Sequence, residues 1–351
     1  MARVHLLTAT PEGEMKEVHL APYRALRRGA ALDRFGVHSL TEDSEEADVI
    51  LFVESYGAGW HFERVRAHPW TRRYREKCFL FCANPYVIPF LPGIYTGLDR
   101  RWHSRRTISG FYPALAETEF LTFDPPSDES RYLFSFMGST LNAPVRRRLA
   151  AVEHPRGFFQ DTTAEFQRVL HGRMAREERR DYHRRYAEVT KASKFVLCPR
   201  GLSVSSIRLF ETMRMGRVPV ILSDGWVEPP GPAWSEFSIR VPETSCANLP
   251  RLLEAREHEA AQMGARARSE WLQWFSEEVA FHRVTEWCLQ IRDRRRVREQ
   301  FARWPVFGQY VRPFHLRRFL GAKARRVREV FAPTEVLVSE KTAESRPVLP
   351  R

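Results

Sequence analysis

The chain has 351 residues, a formal net charge of +13, 43% hydrophobic residues and 12% aromatic residues. This length is more than twice that of a typical domain of about 150 residues, so two domains, or one domain with large insertions, are expected. The composition excludes a wholly disordered chain. No run approaches the ~18 apolar residues of a membrane-spanning helix, and the apolar N-terminal stretch is too short for a secretory signal. We therefore expect the protein to remain where it is made.

The positive charge is concentrated near the C-terminus. Residues 291–328 contain thirteen arginines and lysines against Asp293 and Glu299, a net charge of +11, which leaves +2 for the rest of the chain. The main body is therefore not predicted to contain a strongly basic groove. The five cysteines are odd in number and lack paired C-x-x-C spacing, which predicts reduced, mostly buried thiols in a cytosolic protein.

Strands and helices are predicted to alternate in the first third of the chain. Apolar runs at 3–8, 48–53 and 78–82 predict buried parallel strands, and the stretches 16–35 and 60–74 have helical character. This alternation predicts a Rossmann-like, doubly wound α/β domain over residues 1–125.

The polar, proline-rich segment 124–130 predicts a domain boundary. Beyond it the alternation resumes, and we expect a second Rossmann-like domain over 131–290, with a basic helical segment and flexible tail over 291–351. Further strands are predicted at 132–137, 157–160, 194–198 and 218–222, and helices from 144, at 165–190, 206–215, 249–256, 263–275 and 277–292.

Residues 194–225, KFVLCPRGLSVSSIRLFETMRMGRVPVILSDG, predict a strand, a glycine-bearing loop, a helix and another strand. Arg200 and Gly201 follow the first strand, so we expect them at the carboxyl edge of the sheet, where open α/β folds bind ligands. The helix dipole, free backbone N–H groups and the guanidinium groups of Arg200 and Arg208 converge there. This combination suits a diphosphate.

Arg208 and Glu211 are three residues apart and share one helix face. A carboxylate one turn beyond a phosphate site can accept hydrogen bonds from the hydroxyls of a ribose. Alternatively, the two residues form an exposed ion pair contributing about 0.2 to 0.5 kcal/mol. Spacing alone leaves both interpretations open.

The motif CPRG, then S-x-R-L-x-E from Ser206 and G-x-V-P-V-I from Gly216, resembles the signature of the exostosin family of glycosyltransferases, of the GT47 type. The resemblance implies a GT-B fold, in which two Rossmann-like domains face each other across a cleft. The C-terminal domain would hold a nucleotide-sugar donor, and the N-terminal domain the acceptor. Arg217 replaces a cysteine common in the family, and Ser203 a small flexible residue, which leaves the identity of the sugar open.

The resemblance implies that Arg200 and Arg208 neutralise the donor diphosphate and that Glu211 holds the ribose. Ser206 would cap the helix and donate to a phosphate oxygen, and Gly138 would allow the first loop of the donor domain to approach the phosphates.

Two further residues are candidates for the donor site. Arg146 could add positive charge, although an arginine run at a helix start is often a solvated face. Asp224 could meet the donor sugar, or could be a turn residue before Gly225.

The resemblance implies a sugar transfer with inversion to a glycan or glycoconjugate in polysaccharide biosynthesis, and we expect this reaction to be metal-independent. No D-x-D motif is present, and Glu46 and Asp48 lead into a buried strand, so no metal site is predicted and arginines would stabilise the leaving group. No cofactor is expected beyond a UDP-sugar or GDP-sugar as co-substrate.

The catalytic base is expected in the N-terminal domain. Glu54 is the first candidate, because it directly follows the strand 48–53 and precedes a loop with two glycines. His61 and Asp99 are the alternates. For each residue, an ordinary role as a surface residue or cap is the competing interpretation.

Residues 291–328 mix arginines with aromatic residues, a composition suited to the inner, anionic face of a membrane and to lipid-linked acceptors. Alternatively, this segment packs back on the N-terminal domain. We therefore expect a cytoplasmic protein, with peripheral attachment to the inner face of the membrane as one alternative. Competing hypotheses are a nucleic-acid-binding protein using this segment, although no nucleic-acid motif is present, and a glycosyltransferase-like domain that binds without turnover.

Overall fold

The structure is a computed structural model that describes residues 1–10, 17–55, 62–85, 87–115, 119–125 and 130–309, with single positions between 311 and 320. The strands are β1 (Arg3–Leu7), β2 (Ser39–Leu40), β3 (Val49–Glu54), β4 (Cys78–Cys82), β5 (Gly93–Tyr95), β6 (Thr107–Ser109), β7 (Tyr132–Gly138), β8 (Gly157–Asp161), β9 (Ser193–Pro199), β10 (Val218–Leu222) and β11 (Ile239–Arg240). The helices are α1 (Glu17–Ala31), α2 (Glu63–Ala67), α3 (Pro69–Arg73), α4 (Pro144–Leu149), α5 (Thr163–Leu170), α6 (Arg176–Lys191), α7 (Ile207–Arg214), α8 (Trp234–Phe237), α9 (Leu249–Ala255), α10 (Ala260–Trp274), α11 (Glu277–Asp293), α12 (Glu299–Ala302) and α13 (Trp304–Phe307).

The first sheet contains six parallel strands in the order β2-β1-β3-β4-β5-β6. Every residue of β3 and β4 is buried, as expected for apolar runs covered on both faces. The strand order reverses between β1 and β3, which makes their carboxyl ends the topological switch point of this sheet.

The second sheet contains five parallel strands in the order β11-β10-β9-β7-β8. Here the order reverses between β7 and β9, so the loops that follow Gly138 and Pro199 meet at the switch point. Two parallel, doubly wound sheets confirm the predicted α/β class and its two Rossmann-like halves.

The loops at the carboxyl ends of the two sheets face and contact each other. The backbone N–H of Arg100 donates to the carbonyl of Gly225 over 2.8 Å. A Cβ on Gly97 would lie 3.0 Å from Oγ of Ser203. The largest set of buried apolar side chains also includes residues from both sheets and from α11. One buried apolar cluster therefore spans the two halves and packs them together.

Two predicted helical stretches are each divided in the structure. Pro69 begins α3, because proline fits the first helical turn and cannot continue the preceding helix. The stretch 165–190 is divided into α5 and α6, with Gly172 in the left-handed region at φ 66°. The short strands β2, β5, β6 and β11 were not predicted, since two or three residues carry too weak a pattern.

Met1–Phe307 forms one compact unit that contains both sheets, and Gly308–Arg351 forms another. The start of the basic C-terminal segment packs against the N-terminal half. Glu299 of α12 is ion-paired with Arg106, and its backbone N–H donates to Glu76 over 2.9 Å. None of the helices in the described part of the chain combines the length and apolarity needed to cross a bilayer.

Candidate functional site

Arg146 lies at the switch point of the second sheet and joins its two loops. Its guanidinium donates to the carbonyl of Ser139 after β7, over 3.0 Å. It also donates to the carbonyls of Pro199, the last residue of β9, and of Arg200, the next residue, over 3.3 and 2.8 Å. The side chain is buried, so the solvated-face interpretation of this residue is wrong. Arg146 fixes the geometry of the loops where a ligand of this fold binds.

Arg208 is buried beneath the same loops. Its Nη2 donates to the carbonyl of Met137 over 2.5 Å, and its guanidinium lies 4.7 Å from the ring centroid of Phe136. The Nε of Arg208 has no hydrogen-bond partner among the described residues. A Cβ on Gly138 would collide with this guanidinium, so the glycine makes room for Arg208 at the loop.

Arg200 is partly exposed at the loop after β9. Its Nε donates to both carboxylate oxygens of Glu243, each over 3.0 Å. Glu243 and Asp224 also bond reciprocally, since each backbone N–H donates to the other side chain, over 3.3 and 3.2 Å. Asp224 is exposed. Its two hydrogen bonds with Glu243 help to orient that side chain. Sequence reasoning missed Glu243, which lies 43 residues from Arg200 and in no recognisable motif.

The three arginines create an excess of positive charge. Burial and, to a smaller extent, the nearby charges of Arg208 and Arg200 lower the pKa of Arg146 to about 9. Glu243 offsets part of the charge, but among the described residues Arg146 donates only to neutral carbonyls. A bound anion at this edge would relieve the mutual repulsion.

The helix that follows this loop begins as predicted. Ser206 occupies the N-cap position of α7 with extended backbone angles, but its hydroxyl makes no capping hydrogen bond. This side-chain capping, which the resemblance implied, is absent from the structure. The backbone N–H of Gly201 donates to the carbonyl of Ser205 over 3.1 Å, which closes the loop that precedes the helix.

Glu211 lies on α7 and is buried. Its Oε2 accepts a hydrogen bond from the hydroxyl of Tyr186 over 2.7 Å. Burial raises the pKa of this carboxyl, while Tyr186 and Arg208 partly oppose that shift. The exposed ion pair with Arg208 that the spacing also allowed is therefore not formed, because both side chains are buried.

Glu54 lies at the corresponding place in the first sheet, at the end of β3 and next to the end of β1. Its Oε1 accepts from the backbone N–H of Ala9 over 2.6 Å and from the hydroxyl of Thr8 over 3.2 Å. Oε2 has no hydrogen-bond partner among the described residues. Burial raises the pKa of this carboxyl to about 7, although Ala9 and Thr8 lower it. A carboxyl group of this pKa can exchange a proton near neutral pH.

The two alternates to Glu54 differ in their surroundings. Asp99 caps a short 3₁₀ helix at Arg100–Trp102 and is ion-paired with Arg101 at 2.9 Å. Burial tends to raise the pKa of Asp99, but hydrogen bonds from Arg101 lower it overall, which makes Asp99 a weaker base than Glu54. His61 lies outside the described residues.

A cavity of about 600 Å³ lies elsewhere between the two halves. It is lined by side chains of α1, α7, α10 and α11 and by the connection between the sheets, among them Arg24, Tyr112, Arg214, Arg268 and Trp271. None of the predicted donor or catalytic residues lines it. The predicted donor site is instead a set of loops at the sheet edge.

The chain matches a family model and several proteins of known name. The model described as the Exostosin GT47 domain matches residues 102–256. An exostosin-1 homolog of Caenorhabditis elegans is 40% identical over 70 residues, which are 19% of this chain and 18% of that protein. A probable glycosyltransferase of Arabidopsis thaliana is 29% identical over 130 residues, 36% of this chain and 22% of that protein. The chain thus spans about a fifth of the length of these relatives.

Two solved structures show a weak overall likeness to this chain. The Anabaena protein HepE, in complex with UDP, has a TM-score of 0.37 and 10% identity over 82% of this chain and 99% of that one. MurG of Acinetobacter baumannii has a TM-score of 0.38 and 11% identity over 83% of this chain and 100% of that one. The matched domain covers Gly138, Arg146, Arg200, Arg208 and Glu211, the residues gathered at the second sheet. Residues 102–256 of the chain are therefore similar to the exostosin GT47 domain, and shorter stretches are similar to exostosin-1 proteins.

Proposed function

We propose that the protein transfers a sugar from a nucleoside-diphosphate sugar to a hydroxyl of a glycan or glycoconjugate, with inversion at the anomeric carbon. The observation that carries this proposal is the arginine cluster at the switch point of the second sheet, within the GT47 domain. The diphosphate of a UDP-sugar or GDP-sugar supplies the anion that this cluster lacks.

In the proposed donor complex, Arg200 binds the diphosphate through its terminal nitrogens, since its Nε is held by Glu243. Arg208 contributes its charge and its Nε–H from beneath the loop. Glu211 holds a ribose hydroxyl through Oε1, because Oε2 already accepts from Tyr186. Ser206 is free to donate to a phosphate oxygen, as its hydroxyl makes no capping bond.

Glu54 is the proposed general base. The acceptor hydroxyl loses its proton to the carboxylate of Glu54, and its oxygen forms a bond to the anomeric carbon. The bond between that carbon and the diphosphate oxygen breaks, and the leaving diphosphate carries away the electron pair. The arginines stabilise the negative charge that develops, which supports a reaction without a catalytic metal.

Nucleotide binding tests the donor site. We expect Arg200→Gln and Arg208→Ala each to weaken UDP or GDP binding at least tenfold, because a hydrogen bond to a charged group contributes about 1.5 to 3 kcal/mol. Isothermal titration calorimetry measures the affinity, and circular dichroism checks the fold. Arg168→Gln is the matched control, since Arg168 is exposed and paired with Glu178.

Arg200→Gln is the decisive variant, because its side chain is partly exposed and its loss leaves the core intact. If the wild type binds a nucleotide diphosphate and both variants bind it equally well, the donor site lies elsewhere. Sugar transfer that survives EDTA treatment is the outcome expected for a metal-independent reaction.

The cellular setting is also a proposal. A cytoplasmic protein of polysaccharide biosynthesis would meet lipid-linked acceptors at the inner face of a membrane, and the basic residues of 291–328 would favour that anionic surface. The contacts of Arg295 and Glu299 with the N-terminal half support the alternative, in which the first part of this segment is structural.

A further inference from the structure

Three potential metal ligands meet where α11 packs against the chain between α1 and β2. His38 lies just before β2, and His282 and Glu286 lie one turn apart on α11. One potential ligand atom from each lies within 4.8 Å of the other two. The Nε2 of His38 is 2.7 Å from Oε1 of Glu286, and the two imidazole rings are 5.0 Å apart between centroids.

The cluster leaves several buried polar atoms without a partner. The side chain of His38 is 1% exposed, and His282 is 9% exposed. Within the described part of the chain, the Nδ1 atoms of both histidines and Oδ2 of Asp33 are buried and make no hydrogen bond. Asp33 also interacts electrostatically with His282. An unpartnered buried polar atom is costly, and a bound ion is one of its ordinary explanations.

We propose that His38, His282 and Glu286 bind a divalent transition-metal ion of the zinc class. Two imidazoles and a carboxylate are ligands that Zn²⁺ prefers, and the spacing of four residues places two of them on one face of α11. On binding, the ion takes the place of the hydrogen bond between Nε2 of His38 and Glu286, and the neutral imidazole keeps its proton on Nδ1. The carboxylate of Asp33 is close enough to interact electrostatically with His282, and it adds negative charge near the site.

Both positive and negative side chains lie near the site. Arg283 opposes a cation, but its guanidinium lies over the ring of Trp274 at 3.9 Å and donates to the carbonyl of Gln273. The carboxylates of Glu286 and Asp33 counter that charge.

The metal would have a structural role. His38 and Glu286 are 248 positions apart in sequence, so the ion would fasten α11 to the N-terminal half. This site is separate from the proposed donor site and does not depend on the proposed function.

Zinc binding tests the inference directly. The full-length protein is treated with a chelator, dialysed and titrated with ZnCl₂, and we expect one tightly bound zinc per chain and a higher melting temperature. His38→Ala and Glu286→Gln are each expected to weaken binding at least about tenfold and to abolish the thermal shift. Glu286→Gln is the safer variant, because its side chain is partly exposed.

His154→Ala is the matched control. His154 is paired with Glu254 at 3.0 Å in the same way as His38 with Glu286, but the described residues offer no second histidine there. This variant should bind zinc as the wild type does. The proposal is overturned if the wild type binds no stoichiometric zinc, or if His38→Ala and Glu286→Gln bind it with unchanged affinity.

Discussion

Buried arginines at the sheet edge have both a structural and an electrostatic role. The guanidinium of Arg146 donates to three carbonyls from two different loops. Those bonds hold the loops in register, while the charge itself stays without a carboxylate partner. Arg217 shows the same chemistry. Its side chain is buried and donates to the carbonyls of Lys191 and Asp124, so it closes the connection between the two sheets.

Glu54→Gln tests the proposed base and the environment of this carboxyl. The folded-state pKa of about 7 lies above the ordinary value of 4.5. The folded protein therefore binds this proton more tightly than the unfolded chain does. The stabilisation that the bound proton provides is lost as the pH rises from 4.5 through 7. The difference between these two pKa values corresponds to a change of about 3 kcal/mol in the free energy of unfolding. We expect the variant to match the wild type near pH 5 and to be more stable at pH 8.

Urea denaturation at several pH values measures this difference, and a sugar-transfer assay measures activity. Loss of a general base is expected to reduce transfer about 100-fold or more. Stability and activity should thus change in opposite directions at pH 8. A variant that keeps wild-type activity would remove Glu54 from the mechanism.

Helix α7 follows the loop at the carboxyl end of β9, and Gly216 lies just beyond its C-terminal end. The N–H of Gly216 donates to the carbonyl of Met213, and that of Arg217 to Thr212. With Gly216 at φ 72°, this is a Schellman motif. Helix α5 ends in the same way, with Gly172 at φ 66° donating to Val169. The two helices therefore have equivalent ends in different surroundings.

Alanine at these two glycines separates backbone strain from packing. Gly172→Ala is expected to cost about 1 to 2 kcal/mol, because a Cβ there has no neighbour within 4 Å but the left-handed backbone is strained. Gly216→Ala should cost more, since its Cβ would lie 2.5 Å from an atom of the Phe123 ring. Urea denaturation of both variants measures the two costs. Equal costs would mean that Phe123 moves aside freely.

At the scale of the whole molecule, contacts distant in sequence hold the two halves together and anchor the chain around Arg295 and Glu299 to the N-terminal half. Helix α11 packs on α1 and on the strands of the first sheet, although it follows the second sheet in sequence. Arg106, next to β6, forms a buried ion pair with Glu299 of α12. The C-terminal part of Met1–Phe307 is thus built into the N-terminal half.

Arg106→Ala tests this arrangement. Glu299 is 1% exposed, so loss of Arg106 leaves a buried carboxylate without its cation, and we expect a destabilisation of about 3 to 5 kcal/mol. Arg27→Ala is the control, because the pair of Arg27 with Glu42 is exposed and contributes less than about 1 kcal/mol. The midpoint of urea unfolding reports both changes. A loss below that of the control would show that residues 295–306 are not anchored through this pair.

The sequence by itself determined the alternation of strands and helices, the α/β class and the segment that lies at the carboxyl edge of the second sheet. Those features follow from hydrophobic runs and turn residues, which act between near neighbours. It placed Arg200, Arg208 and Gly138 at one edge, because parallel strands present their carboxyl ends together. Only the tertiary structure decided which partners these residues take. Glu243 at Arg200, Tyr186 at Glu211 and the meeting of His38 with His282 depend on packing between distant segments, which leaves no local pattern in the chain.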